Sequence, residues 1–381
     1  MAFQSQFEAG DIVNFLILTT NANISVKALV YEEYAKDDDF SKILKIKDIP
    51  EPKPKSNEVV FKVDVAGLNY DDIWAMRGKP IEVPMPHVSG TDAAGEVIAI
   101  GEDVTNFKVG DRVVSHGNIS CRVCKDCTDG REYDCRYRKI WGFQTGPMWG
   151  GYCEYAHLPE VNVAKIPDSV SYEQAAAASM VLVTSWHMLV GRAKIRPGQT
   201  VLIMGGGSGI GTFGIQIAKL YGCDVIATAS PNKLDECLKL GADYAVDHRK
   251  EDWHKDVFAI TKELAKKKDT APGIDVIFEH IGGTHWNKEL MLLKYGATIV
   301  TTGATTGYEV NTDLRHIFFK GISVLGATQG TKKELEDGLF WMSKGKIKSV
   351  IDSTYSFENA AEAHTKMLKG NVFGKILMKP S

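Results

Sequence analysis

Apolar residues follow two rhythms along this chain. Between about 25 and 115 they come in short runs, VKALVYEEY, EVVFKVDVAGL, AAGEVIAIG and VGDRVVSHG, broken by Gly and Pro. Such runs predict the strands of a compact β-rich domain. At 172–189 the pattern changes to YEQAAAASMVLVTSWHML, an Ala-rich helical stretch that leads into a second domain. After IRPGQT, strands and helices alternate: VLIMG, GIGTFGIQIAKLYG, DVIATAS, NKLDECLKLG, DVIFEHIG, WNKELMLLK, ATIVTTG and ISVLGAT. That alternation predicts βαβ units and a doubly wound parallel sheet. The stretches from 332 onward, KKELEDGLFWMSKG, SVIDSTYSF, ENAAEAHTKMLKG and GKILMKP, exceed what that sheet needs and are expected to return to the first domain. The expected division is an N-terminal extension at 1–24, a β-rich domain at 25–180 completed by 332–381, and an α/β domain at 181–331.

Length and charge narrow the class. A chain of 381 residues is long enough for two cores, and its 44% hydrophobic and 24% charged content is that of a globular protein. A net charge of -3 gives no electrostatic reason to expect nucleic acid or a membrane surface as partner. The run KELAKKKD at 262–269 reads as a solvated helix face. The apolar stretch IVNFLIL (12–18) is too short to span a bilayer, and no cation precedes it, the first being Lys27. The chain therefore reads as cytoplasmic.

Four of the seven cysteines crowd into CRVCKDCTDGREYDC, residues 121–135. Thiolates of Cys121, Cys124, Cys127 and Cys135 at this spacing close a tetrahedral zinc shell with no open position, which marks a structural site holding one zinc per chain. Four unligated surface thiols are the alternative. Cys153, Cys223 and Cys237 are scattered and read as small core residues.

The stretch VLIMGGGSGIGTFGIQIAKL reads as a buried strand, a glycine-rich turn and an amphipathic helix. Gly206, Gly207, Ser208, Gly209, Ile210 and Gly211 form a turn whose backbone can approach a pyrophosphate, with free N–H groups at the helix start. Ser208 holds the middle place of G-x-G-x-x-G, where it can still approach phosphate. At the end of the next strand, TASPNK offers no carboxylate to bond a ribose 2′-hydroxyl. Ser230 and Lys233, with Arg249 as a weaker candidate, suit a 2′-phosphate, so the expected cofactor is NADPH. A solvated residue at a helix start is the alternative for Lys233.

A β-rich domain carrying this cysteine lobe, followed by a Rossmann domain with GGGSGIG, resembles the medium-chain dehydrogenase/reductase superfamily over nearly the whole chain after residue 25. The resemblance implies an α/β protein: a Rossmann doubly wound parallel sheet plus a β-rich GroES-like domain with a structural zinc lobe. Zinc alcohol dehydrogenases of that superfamily carry a second, catalytic zinc, with ligands in A-G-x-C, in G-H-E and just before the second domain. The matching stretches are AGLNYDD, GTDAAG and ASMVLVTSW, which put Asn69, Thr91 and Met180 at the ligand positions. An amide, a hydroxyl and a thioether do not replace thiolate and imidazole around zinc, and Asp92 cannot hold the metal alone. No catalytic zinc is expected.

Among metal-free members, LNYDDIW (68–74), KIWGFQT (139–145) and TTGYEVNTDLRHIFFKGISVLGATQG (305–330) resemble the crotonyl-CoA carboxylase/reductase branch and the related acryloyl-CoA reductases. This implies reduction of a short-chain enoyl-CoA, with hydride to the β-carbon and a proton to the α-carbon. By position, Asn69 and Phe143 match residues that the family places beside carbon dioxide. Gln144 stands where the carboxylases have Glu, and Thr328 where they have His, so plain reduction is expected over carboxylation. Arg315 matches an arginine that grips the nucleotide end of CoA; an exposed helix-end cation is its alternative, and Lys320 is a weaker candidate. Tyr70 offers a hydroxyl to relay a proton, or packs at a strand end. Trp141, Trp149 and His87 are open between substrate wall and core. Relatives imply a homodimer or homotetramer. Competing functions are a quinone or enone reductase and a non-catalytic nucleotide-binding module.

Overall fold

Glu58–Gly67 is buried at eight of its ten positions, so both faces of this strand are covered. It is a central strand of a seven-stranded sheet in the computed structural model, which describes residues 25–283 and 285–380. The expected extension at 1–24 lies outside the described residues. Asp92–Ile100, Arg112–Ser115 and Val163–Lys165 follow antiparallel on one side, and Tyr155–Pro159 also pairs with Glu58–Gly67. On the other side comes Lys375–Lys379, with Leu377 opposite Gly67, and then Ile351–Ser356. The last strands of the chain thus complete the sheet built by the first.

The second sheet is wholly parallel. Its six strands run Tyr244–Asp247, Asp224–Ala229, Thr200–Ile203, Ile274–Glu279, Leu293–Thr301 and Ser323–Gly326. The chain moves outward from Thr200–Ile203 in one direction and then in the other. This creates a switch point at the C-terminal end of that strand, where doubly wound sheets bind ligands.

Helix Tyr172–Trp186 joins the two halves. Ser171 caps it by accepting from Gln174 N–H, and Ala175 to Ala178 are all fully buried. A helix apolar on every face is a core helix, and this one lies between the first sheet, helix Gly209–Leu220 and helix Lys332–Ser343. Its alanines permit close approach: a Cβ on Gly67 would lie 3.1 Å from Ala176 O, and one on Gly338 would strike Leu182 at 2.6 Å. Among the described residues no helix is long and apolar enough to cross a membrane.

Candidate active site

The glycine-rich turn leaves strand Thr200–Ile203 at the switch point. Gly205 adopts a positive φ of 59°, and a Cβ on Gly211 would meet Gly205 O at 2.3 Å. Gly206 lies against Ala227 and Cys237, and Gly207 beneath Lys233 and Phe373. Helix Gly209–Leu220 starts here, with Gly209 and Ile210 in its first turn. Ser208 stands at the start of this helix. It is the N-cap: its hydroxyl donates to Gly205 O at 2.8 Å and accepts from Gly211 N–H at 2.9 Å, so the oxygen is turned into the loop.

Strand Asp224–Ala229 ends in a buried alanine, and Ser230 leads into a short 3₁₀ turn ending at Lys233. Lys233 is half-buried and donates to Gly370 O at 2.8 Å. Burial holds its ammonium below the usual lysine range, and the Arg249 charge adds to the effect. Lys233 and Arg249 therefore face one space between the ends of neighbouring strands.

The four lobe cysteines converge. Their sulfur atoms all lie within 4.8 Å of one another, with separations of 3.9, 3.6 and 3.5 Å for three of the pairs. A tetrahedral zinc with Zn–S bonds of ~2.3 Å would set its sulfurs about 3.8 Å apart, so this donor set fits the ion. Backbone N–H groups of Val123 and Cys124 pull the Cys121 thiol down to about 6. The lobe is tied to the rest of the chain by Lys332 N–H, which donates to Glu132 Oε1 at 3.1 Å, and by Arg138, which donates to Thr328 Oγ1 at 2.6 Å.

Asn69, Thr91 and Met180 are brought together from three elements. Asp92 is the hub: it accepts from Asn69 Nδ2 and from Met180 N–H, each at 2.8 Å. Lys375 enters from the last strand, its stem passing the position of a Cβ on Gly209 at 2.8 Å. Its ammonium donates to Asn69 Oδ1 at 2.7 Å, to Asp92 Oδ2 at 3.0 Å and to Leu68 O. Asp92 is fully buried and Lys375 nearly so. At the three ligand positions the donors are an amide, a hydroxyl and a thioether, which are poor zinc ligands, and the neighbouring Asp92 carboxylate is already paired with the Lys375 ammonium.

Two further carboxylates lie alongside. Asp72 accepts from Tyr152 Oη at 2.6 Å, Asn69 N–H at 2.8 Å and Gly90 N–H at 3.2 Å; burial nevertheless pushes it up to about 6. Asp71 accepts from Thr91 Oγ1 at 3.2 Å, and burial followed by the charges of Asp72 and Asp92 raises it well above the usual carboxylate range. Sequence reasoning did not single out Asp71, Asp72, Tyr152 or Lys375, which the structure brings together around Asn69 and Asp92. The one available signal was the DD pair opening a helix right after Asn69.

The remaining expected residues are dispersed. Tyr70 meets Trp74 edge to face at 5.6 Å, and Phe143 packs in the same apolar cluster. Gln144 turns its carbonyl oxygen back onto Ile140 N–H at 3.0 Å. Thr328 lines a cleft of about 180 Å³ with Tyr133, Arg138, His187 and Arg192, at the seam between the lobe and the parallel sheet. Arg315 is exposed and gives two donors to Asp313, at 3.1 and 2.7 Å. Lys320 closes a helix end, donating to Met291 O and Leu293 O. His87 and Trp141 are fully buried in the core, and Trp149, which donates to His157 O, lines a separate cleft with Met148 and Tyr155.

Residues 55–168 match the alcohol dehydrogenase GroES-like domain, and residues 209–344 match the zinc-binding dehydrogenase domain. The acryloyl-coenzyme A reductase of Sulfurisphaera tokodaii is 29% identical over 337 residues, spanning 88% of this chain and 96% of that protein. A solved NAD-dependent alcohol dehydrogenase is similar with a TM-score of 0.86 and 35% identity, covering 93% of this chain and 99% of its own. A solved crotonyl-CoA carboxylase/reductase gives a TM-score of 0.85 at 25% identity, covering 93% and 88%.

Proposed function

Because this chain belongs to the medium-chain dehydrogenase/reductase superfamily, with its GroES-like and zinc-binding dehydrogenase domains, we propose that it is an NADPH-dependent reductase of the C=C bond of short-chain enoyl-CoA esters. The observation that carries this reading is the Lys375 ammonium, 3.0 Å from Asp92 and 2.7 Å from Asn69, at the position of the catalytic metal ligands. A centre built this way lacks the Lewis acid that alcohol oxidation through an alkoxide requires. It retains donors for the charge that builds on a thioester oxygen. The acryloyl-coenzyme A reductase relative supports the same substrate class.

When bound, the dinucleotide supplies a hydride for the β-carbon. The protein's own part is to hold the cofactor and steady the acyl group. Gly206 to Gly211 cradle the pyrophosphate, while Ser230, Lys233 and Arg249 take the 2′-phosphate. Asn69 gives one amide hydrogen to Asp92 and has a second for substrate. Gln144 and Thr328, engaged with Ile140 and Arg138, stand at the two positions where the carboxylases carry Glu and His, which favours plain reduction. One zinc per chain sits in the cysteine lobe. A cytoplasmic place is favoured by unpaired cysteines throughout the described residues.

One observation favours the rival quinone or enone reductase. The guanidinium fork of Arg315 is already paired with Asp313, so a CoA phosphate would have to displace a carboxylate there. NADPH consumption with crotonyl-CoA, acryloyl-CoA and a simple quinone separates the two. Preference for a thioester is expected, and preference for the quinone overturns the proposal. Bicarbonate in the same assay is expected to yield no carboxylated product.

A further inference from the structure

Charge and hydrogen bonding around helix Tyr70–Arg77 leave one group unexplained. Asp71 and Asp72 lie near Asp92, which pairs with the Lys375 ammonium at 3.0 Å. Asp92 has Lys375 as counter-ion, and Asp72 is satisfied by Tyr152, Asn69 and Gly90. Asp71 has neither. Its Oδ2 accepts from Thr91, while its Oδ1 is buried with no hydrogen-bond partner among the described residues, on a residue only 8% exposed. A buried carboxyl so placed, between two other carboxylates, keeps its proton.

Thr91 links Asp71 to a second unsatisfied group. Its methyl faces Gly117, and the Gln329 carboxamide approaches the same glycine, with Oε1 3.4 Å from the position of a Cβ there. Both amide atoms of Gln329 are also buried without partners. Buried polar atoms left empty are costly, and a polar ligand reaching this wall would recover that cost.

We propose that Asp71 is the acid that completes the reduction, giving its proton to the α-carbon of the substrate enolate beside Asn69 and Thr91. This rests on the enoyl-CoA reading above. The new C–H bond forms as the Asp71 O–H bond breaks, and that bond's electron pair stays on Asp71 as a carboxylate. Solvent then returns the proton. With the hydride, each C=C bond consumes one NADPH and one proton.

The experiment compares wild type with Asp71→Asn, which keeps the shape and the Thr91 contact but has no acidic proton. In Asp71→Asn, kcat is expected to fall by about 10²–10⁴-fold with KM little changed, and Asp71→Glu should recover part of it. In deuterated water the wild-type product should carry deuterium on one face of the α-carbon, and the variant's product on both. Infrared spectra of the ligand-free protein near neutral pH should show a protonated carboxyl band that Asp71→Asn lacks, a readout independent of turnover. Wild-type rate and one-face labelling in a folded Asp71→Asn, or no loss of the infrared band, overturns the proposal. Wild type that reduces quinones but no enoyl-CoA overturns the underlying reading and this proposal with it; the infrared band tells the two failures apart.

Discussion

Asp72 is a carboxylate whose burial and hydrogen bonds pull in opposite directions, and burial wins. Its pKa is about 6 in the folded protein against 3.8 for the unperturbed group, so the native state binds the proton more tightly. The stability this adds is full below about pH 4 and is lost as pH rises through about 6. Denaturant titrations across that window should show stability falling with pH, and Asp72→Asn should reduce the slope. Asp71, shifted in the same direction, keeps some slope in that variant. An unchanged slope would assign the effect to other groups. Lys233 tests the cofactor. Its ammonium is partly desolvated beside Arg249, so a phosphate there gains a charge-assisted bond worth about 1.5–3 kcal/mol. Lys233→Ala should weaken NADPH binding about ten- to a hundredfold by fluorescence titration and leave NADH binding nearly unchanged. Equal loss for both would place Lys233 away from the 2′-phosphate.

Among the elements, the cysteine lobe is the piece whose order is expected to depend on a ligand. The helix within it, Lys125–Thr128, is a single turn, and the paired segments Asn118–Ile119 and Lys139–Ile140 are two residues each. Elements this short do not hold themselves together, and a zinc ion held by the four cysteines would supply the cross-links. Metal analysis should return about one zinc per chain, and a value near two would contradict the proposed centre. Removing it with a chelator should lower the melting temperature and loosen the contacts of Glu132 with Lys332 and of Arg138 with Thr328, read by hydrogen exchange of residues 121–140. Unchanged exchange would mean that the lobe folds without metal. The glycine turn behaves differently, since its shape rests on backbone contacts. The sequence pattern places the turn between a strand and a helix but does not announce the capping role of Ser208, because capping depends on which way a hydroxyl rotates relative to Gly205 and Gly211.

For the whole molecule, the parallel sheet ends at Ser323–Gly326, which pairs on one side only. Val324 on that strand and Leu314, Phe318 and Phe319 on the neighbouring helix are exposed, an apolar margin that a second copy would cover. A homo-oligomer is expected in sedimentation experiments, and Phe319→Asp with Val324→Glu should yield monomers; a monomeric wild type would refute this. Periodicity and spacing determined much of the rest. Strand runs, the βαβ alternation, the nucleotide turn and the four-cysteine lobe were all legible, because each is set by contacts within a few residues. The centre was legible only in outline. Asn69, Thr91 and Met180 could be placed as a depleted ligand set, yet nothing near them in the chain announces Lys375, 283 residues beyond Asp92. Tertiary structure alone decided that an ammonium lies at that position, and that Tyr152 and Gly90 reach Asp72 while Asp71 Oδ1 is left without a partner among the described residues. The physical reason is that burial and charge pairing depend on distances in space: local pattern places a side chain on an element, and only packing chooses its partner.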